Sequence, residues 1–256
     1  MIQGWVLALP LGLVLLALPL PADEALKPPA QVISINHIDF PPGGVIRVNG
    51  SYDDLYVEGW DRPEVEISTT KFMPFDYARG HPEQATQHLE SVRVETQRRA
   101  AGELDISIRL PRRSVRLPLL PHTTRGGVRL ECHLHVPRRS QLMIRHGDGI
   151  VSVSDVAGDI EAHCRRGDIL LWLPEAGAYL IDARTKLGKV SSDFTGKAHS
   201  RFFVGQKFVS VSAAPVQRID LRTGFGGVTI KPILPESQAN RAAQQNTREE
   251  SGLQLK

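Results

Sequence analysis

The amino-acid sequence predicts an all-β fold, a parallel β-solenoid-like stack of short strands with loop excursions. A twisted β-sandwich is the competing arrangement. Three observations lead there. Turn glycines introduce short segments in which apolar and other residues largely alternate: Gly149-Ile150-Val151-Ser152-Val153, Gly158-Asp159-Ile160-Glu161-Ala162, Gly167-Asp168-Ile169-Leu170-Leu171, Gly188-Lys189-Val190-Ser191-Ser192 and Gly227-Val228-Thr229-Ile230. The glycines at 127, 149, 167 and 188 lie 22, 18 and 21 residues apart, and 227 follows 39 later, about two such intervals. A unit of that length cannot bury its own apolar face and must stack on neighbours. Aromatic residues are scarce, at 6%, beside 22 glycines and 18 prolines, which suits strands and turns better than a helical core.

Taken in order, residues 1–22 carry no charged side chain, and Trp5 to Leu20 is almost wholly apolar. This stretch reads as a secretory signal with cleavage after Leu20-Pro21-Ala22; it acts as a membrane tether only if uncleaved. Residues 23–39 form a linker, 40–234 the β-strand-repeat domain and 235–256 a polar, disordered tail. Within the domain, Val45–Val48, Leu55–Glu58 and Val65–Ser68 read as strands. Turns are expected at Gly50-Ser51-Tyr52-Asp53-Asp54 and Gly59-Trp60-Asp61-Arg62-Pro63. Val92–Glu95 and Leu104–Ile108 make a hairpin around Ala100-Ala101-Gly102. Residues 71–89 and 111–126 lose the alternation and read as excursions, with a short helix over 82–89. The longest alternation follows, with Val128, Leu130, Cys132, Leu134 and Val136 on one face and Arg129, Glu131, His133 and His135 on the other. The expected inward set of the second half is Ile150, Ile160, Ile169, Leu171, Ile181, Val190, Val209, Val211, Ile219, Leu221, Val228 and Ile230.

The formal charge is +3, and arginines occur in pairs at 98–99, 112–113, 138–139 and 165–166. Most such pairs are solvated strand ends; the alternative is a surface meeting an envelope glycan, a lipid head group or an envelope protein. An exported chain without aromatic interleaving is not expected to bind nucleic acid.

Gly50-Ser51-Tyr52-Asp53-Asp54-Leu55-Tyr56-Val57-Glu58-Gly59-Trp60-Asp61, followed by the strand Val65–Thr69, resembles the opening of the adhesin-like β-strand-repeat family of the bacterial envelope. Val136-Pro137-Arg138-Arg139-Ser140-Gln141-Leu142-Met143-Ile144, leading into Gly149, is similar to that family's second hallmark. The resemblance spans roughly residues 40–232. It implies an exported, right-handed β-solenoid-like domain, periplasmic or at the cell surface, with no established chemistry. The excursions at 71–89 and 111–126 depart from the pattern.

Candidate chemistry is sparse. Cys132 and Cys164 fall on inward positions and are expected to be buried thiols, forming a disulfide only if their strands lie side by side. His133 and His135 beside Glu131, with His163 and Glu161 nearby, have ligand chemistry, but a polar outer face is the plainer reading. Asp148, Asp159 and Asp168 adjoin turn glycines and serve either as turn residues or as acids acting on a polysaccharide. Trp60, Trp172, Arg112, Arg113 and Arg116 are the candidate ligand contacts. No nucleophile elbow, His-Glu-x-x-His helix or phosphate loop occurs in the sequence. No catalytic set, metal or cofactor is expected. The chain reads as a non-catalytic structural or interaction module of the cell envelope. The alternatives are a polysaccharide-active β-helix enzyme using the acidic turns, or an accessory or sensor subunit docked through its excursions.

Overall fold

The computed structural model describes residues 31–52, 54–72, 89–90, 92–109, 129–201 and 205–233. The leader, residues 23–30 of the linker, nearly all of both excursions with residues 82–88 of the expected helix, and the tail lie outside the described residues; the rest of the expected linker, 31–39, is not a linker but a strand paired antiparallel with Glu64–Phe72. Seventeen strands are present: β1 (Gln31–Asp39), β2 (Val45–Tyr52), β3 (Asp54–Trp60), β4 (Glu64–Phe72), β5 (Arg93–Ala100), β6 (Glu103–Arg109), β7 (Arg129–Pro137), β8 (Gln141–Asp148), β9 (Val151–Ser154), β10 (Ile160–Arg166), β11 (Ile169–Pro174), β12 (Tyr179–Leu187), β13 (Val190–Ser192), β14 (Lys197–Arg201), β15 (Gly205–Val211), β16 (Gln217–Phe225) and β17 (Val228–Ile233).

These strands form two mixed sheets. The eight-stranded sheet has the order β1-β4-β7-β3-β9-β11-β17-β13, and the nine-stranded sheet β14-β15-β12-β16-β10-β8-β2-β6-β5. Here they are called sheets A and B. Six strand couples each place one member in sheet B and the next in sheet A. Both sheets hold the couples in one order: β6–β7, β2–β3, β8–β9, β10–β11, β16–β17, β12–β13. Neighbouring couples pair in parallel throughout. Antiparallel strands close three of the four edges: β4 and β1 beyond β7, β5 beyond β6, and β15 and β14 beyond β12.

The couples do not stack in chain order. The first, β2–β3, lies between β6–β7 and β8–β9, and the last, β16–β17, lies between β10–β11 and β12–β13. The 39-residue gap before Gly227 holds the hairpin β14–β15 and β16 rather than two regular units. Gly50 to Tyr52 continue β2, and Gly59 and Trp60 complete β3, so the second expected turn shrinks to Asp61–Pro63.

One hydrophobic core fills the space between the sheets, drawing Ile46, Val48, Leu142, Ile144, Ile160, Ile181, Ile219 and Leu221 from B and Leu55, Val57, Leu134, Val153, Leu171 and Ile230 from A. The alternation of β7 is as expected, with Leu130, Cys132, Leu134 and Val136 buried. Four members of the expected inward set differ. Val190 is only half-buried, though packed against the core. Ile150 is also half-buried, and Val151 and Val153 take the core positions. In β15 the buried residue is Phe208, which leaves Val209 half-exposed and Val211 68% exposed. A one-residue change of register exchanges the faces of a strand, and a short strand gives few alternating positions to fix it.

The passage from sheet B to sheet A is made by glycines in a conformation closed to other residues. Gly149, Gly167, Gly226 and Gly188 have φ of 129°, 123°, 130° and 144°. They stack in that order. A Cβ on Gly167 would fall on the carbonyl of Gly149, one on Gly226 on that of Gly167, and one on Gly188 on that of Gly226. Amides close the same ladder, Gly149 N–H to Arg166 O (3.0 Å), Gly167 N–H to Phe225 O (2.7 Å) and Gly226 N–H to Leu187 O (2.8 Å).

Gly226→Ala is expected to lower the unfolding free energy by about 3 kcal/mol or more in urea denaturation, because backbone strain and a steric clash coincide there. Gly43→Ala, at a positive φ with open space around the Cβ, is expected to cost no more than about 1 kcal/mol. Truncation after Val211, which removes β16–β17, is expected to abolish the far-UV strand signal rather than trim it, because the missing couple is interior to both sheets. A truncated chain retaining most of its strand signal would contradict the interior placement.

Candidate functional site

The two corners of each couple differ. Opposite the tight glycine corner, the loops leading from sheet A back to sheet B are longer, and a groove of about 740 Å³ runs across them. It is lined by Glu58, Asp61, Arg138, Asp155, Val156 and Ala157 and by residues around Pro174–Tyr179 and Val216–Gln217. Buried Gln217 ties the loops together, its Nε2 donating to Val156 O (3.1 Å) and Gly158 O (2.6 Å). Tyr179 closes its own loop through its hydroxyl, donating to Pro174 O at 2.6 Å, and burial pushes that phenol up to about 12. Arg138 bridges Asp61 (3.1 Å) and Asp155. Asp155 is the one non-glycine at positive φ (60°) among the described residues, and its carbonyl occupies the place where a side chain on Gly59 would stand. The groove therefore offers apolar walls, backbone dipoles and a carboxylate–guanidinium–carboxylate trio. Its third carboxylate, Glu58, faces His135 Nε2 at 3.8 Å.

On the outer face of sheet A the cross-strand register assembles one row: His37, Glu66, His135, Glu58, Ser154, Trp172 and Lys231. His135 contacts Glu66 through Nδ1 at 3.2 Å and stacks on Trp60 with centroids 5.1 Å apart. Trp60 is 7% exposed, with Arg62 over its ring at 4.9 Å and its indole N–H donating to Glu64 O at 2.8 Å. His133 stacks on Tyr56 at 4.7 Å. These histidines are thus partners of aromatic rings and carboxylates. Among the described residues no group of three or more His, Cys, Asp or Glu is arranged to hold a metal. Trp172 is half-buried, with the Lys231 ammonium 5.8 Å from its ring. Arg112, Arg113 and Arg116 lie outside the described residues.

The acidic turn residues have structural partners. Asp159 Oδ1 accepts from Arg218 N–H (2.8 Å) and Asp168 Oδ1 from Gly227 N–H (2.6 Å). Asp54, absent from the expected acidic set, accepts from Ile150 N–H at 3.0 Å. Each carboxylate at a strand start caps an amide of the adjoining couple. Asp148 pairs with Arg165 (2.8 Å) and Arg166 (3.8 Å). Other arginine pairs are held likewise, Arg98 on Asp39 O and Arg99 on Asp105.

The cysteines are not neighbours. Cys132 lies on β7 of sheet A and Cys164 on β10 of sheet B, both buried and free. They do not lie on the side-by-side strands expected of a pair. Burial raises the thiols to about 12 and about 11. Cys164 occupies a repeated inward position, the row Gly50, His146, Cys164, Thr223, Thr185. Thr185 Oγ1 donates to Gly226 O (2.8 Å), Thr223 Oγ1 to Gly167 O (3.0 Å) and Cys164 Sγ to Gly149 O (3.6 Å). The cysteine therefore does the work of a threonine at the glycine corner.

Cys164→Thr is expected to leave stability within about 0.5 kcal/mol of the parent. Cys164→Val, which removes the donor, is expected to cost about 1 kcal/mol or more in the same urea titration. Neither thiol should react with a thiol reagent at pH 8 faster than the protein unfolds.

No protein-family model matches the chain, and no curated protein matches it. Among solved structures it is similar to a "putative cell adhesion protein" from Clostridium sporogenes ATCC 15579, at 11% identity and a TM-score of 0.49, covering 80% of this chain and 100% of that one. It is also similar to a "putative adhesin" from Bacteroides fragilis NCTC 9343, at 10% identity and a TM-score of 0.25, covering 80% and 99%.

Proposed function

We propose that this is a non-catalytic, adhesin-like interaction module of the bacterial envelope, exported through its N-terminal leader to the periplasm or cell surface. The two sheets are read as the faces of a right-handed β-solenoid-like stack. Its ligand is an envelope glycan, a lipid head group or an envelope protein. One observation carries the reading: the turn carboxylates on which a polysaccharide-cleaving mechanism would draw are committed to the scaffold. Asp159 and Asp168 cap amides of the adjoining couple and Asp148 is held by two arginines. A parallel stack with a continuous core presents broad, rigid outer faces, and rigidity lowers the ordering cost of recognition.

Fractionation of cells expressing the tagged full chain is expected to place it outside the cytoplasm. The purified protein is expected to bind at least one class in a panel of envelope glycans, lipids and envelope extracts saturably, at physiological salt and without turnover. Cleavage of a glycan that Asp148→Asn or Asp168→Asn abolishes in a folded protein would instead establish the enzyme.

A further inference from the structure

The outer face of sheet B carries a row of cationic and imidazole side chains that the order of the sequence conceals. Strand register places Arg145 (β8) opposite His163 (β10), His163 opposite Arg222 (β16), Arg222 opposite Arg184 (β12), Arg184 opposite Lys207 (β15) and Lys207 opposite His199 (β14). The six residues come from six consecutive strands, and none is acidic. At about 4.8 Å per strand the row runs roughly 24 Å across the sheet. Arg145, Arg222, Arg184 and His199 are exposed, and His163 and Lys207 half-buried.

Two residues back along the three central strands runs a second row, Glu161, Asp220 and Asp182. Its carboxylates orient the basic row. Arg222 meets Asp220 through Nε and Nη2, both at 2.8 Å, and Arg184 meets Asp182 through the same pair of nitrogens. Each bidentate contact engages two of the five guanidinium donors and fixes the plane of the group. The Arg184 contact holds the Asp182 carboxyl below its usual range, so this anion stays charged. On the other side of the basic row stand Gly147 on β8, Gly224 on β16 and Gly205 on β15. At those three strands no side chain walls the row.

From this arrangement we propose that the row Arg145–His163–Arg222–Arg184–Lys207–His199 is a binding track for a linear polyanionic glycan laid across the strands of sheet B. The acidic row selects the shape of the ligand. A flat anionic surface such as a membrane would cover both rows at once and meet Glu161, Asp220 and Asp182, whose backbone positions lie about 7 Å along the strands from those of the basic row. A single-file chain touches the cations alone. The proposal rests on the reading of the protein as an interaction module and assigns its ligand class and its face.

The test uses the full chain and polygalacturonate, with its methyl ester as the uncharged control and vesicles containing anionic lipid as the planar one. Binding to polygalacturonate is expected to be saturable and to weaken with salt. Arg184→Gln with Arg222→Gln should lower affinity about tenfold, corresponding to about 1.4 kcal/mol, and make the salt dependence shallower. Arg139→Gln with Arg218→Gln removes the same charge from exposed positions outside the row and should change affinity less than about threefold. Arg145→Gln, at the end of the row and outside the bidentate pairs, supplies a second variant whose melting curve reports on folding. Equal losses from the row and the control pair overturn the proposal in favour of a diffuse field. Vesicle binding as tight as glycan binding, with the same mutational loss, overturns it in favour of a membrane surface. If the row variants bind polygalacturonate like the parent, the track fails while the interaction module stands. If the parent binds nothing in any class, both fail.

Discussion

Everything in this fold depends on the backbone of one couple passing through the space where a side chain of the next would stand. At the glycine corner the carbonyl of each residue in the series Gly149, Gly167, Gly226 lies where the next would carry its Cβ. Strands separated by the ordinary sheet spacing can turn together in so few residues only if the turning residue has no side chain and tolerates positive φ. The carbonyls brought inward there need donors, and the row Cys164, Thr223, Thr185 provides them. Gly50 belongs to the same row for a different reason: the ring of His146 fills the place of its Cβ.

Much of this was legible in the sequence. Glycine followed by an alternating segment marks the tight corner because steric permission and strand periodicity are both local properties. The face of β7 was legible for the same reason, since nine residues of alternation leave one register. What escaped was non-local. Val209 and Val211 look inward by parity, yet β15, lying between β12 and β14, pairs antiparallel to β12 with Phe208 opposite buried Ala183, which puts Phe208 inside. The order of the couples was equally hidden. All present similar apolar faces, so nothing in the pattern of β2–β3 says that it lies inside β6–β7. The cationic row of sheet B was invisible for that reason: its members stand at 145, 163, 184, 199, 207 and 222, and only the interleaved order lines them up.

The same alternation that builds the core also gives the two outer faces different chemistries. Sheet A turns imidazoles and aromatic rings outward, with Trp60 and Tyr56 capped by His135 and His133. Sheet B turns guanidiniums outward, and Arg184 and Arg222 are each braced by an aspartate two residues earlier on the same strand. Such i,i+2 pairs contribute little to stability on an exposed surface. Their effect is to fix direction. The loop groove lies on the third side, where the couples return to sheet B, so the three surfaces are chemically separate although one core supports them all.

The interior position of the last couple bears on when the molecule can form at all. β16 and β17 are the final described strands, yet each lies between strands that leave the ribosome earlier. At about 5–20 residues per second of synthesis, β10–β11 and β12–β13 emerge seconds before the strands that separate them. Until those arrive, β12 and β13 lack their parallel neighbours and the glycine ladder is broken between Gly167 and Gly188. The four couples from β6–β7 to β10–β11 can pair as they emerge, but β12–β13 must wait for the couple that seats it. Synthesis therefore ends with an insertion into both sheets rather than an addition at an edge.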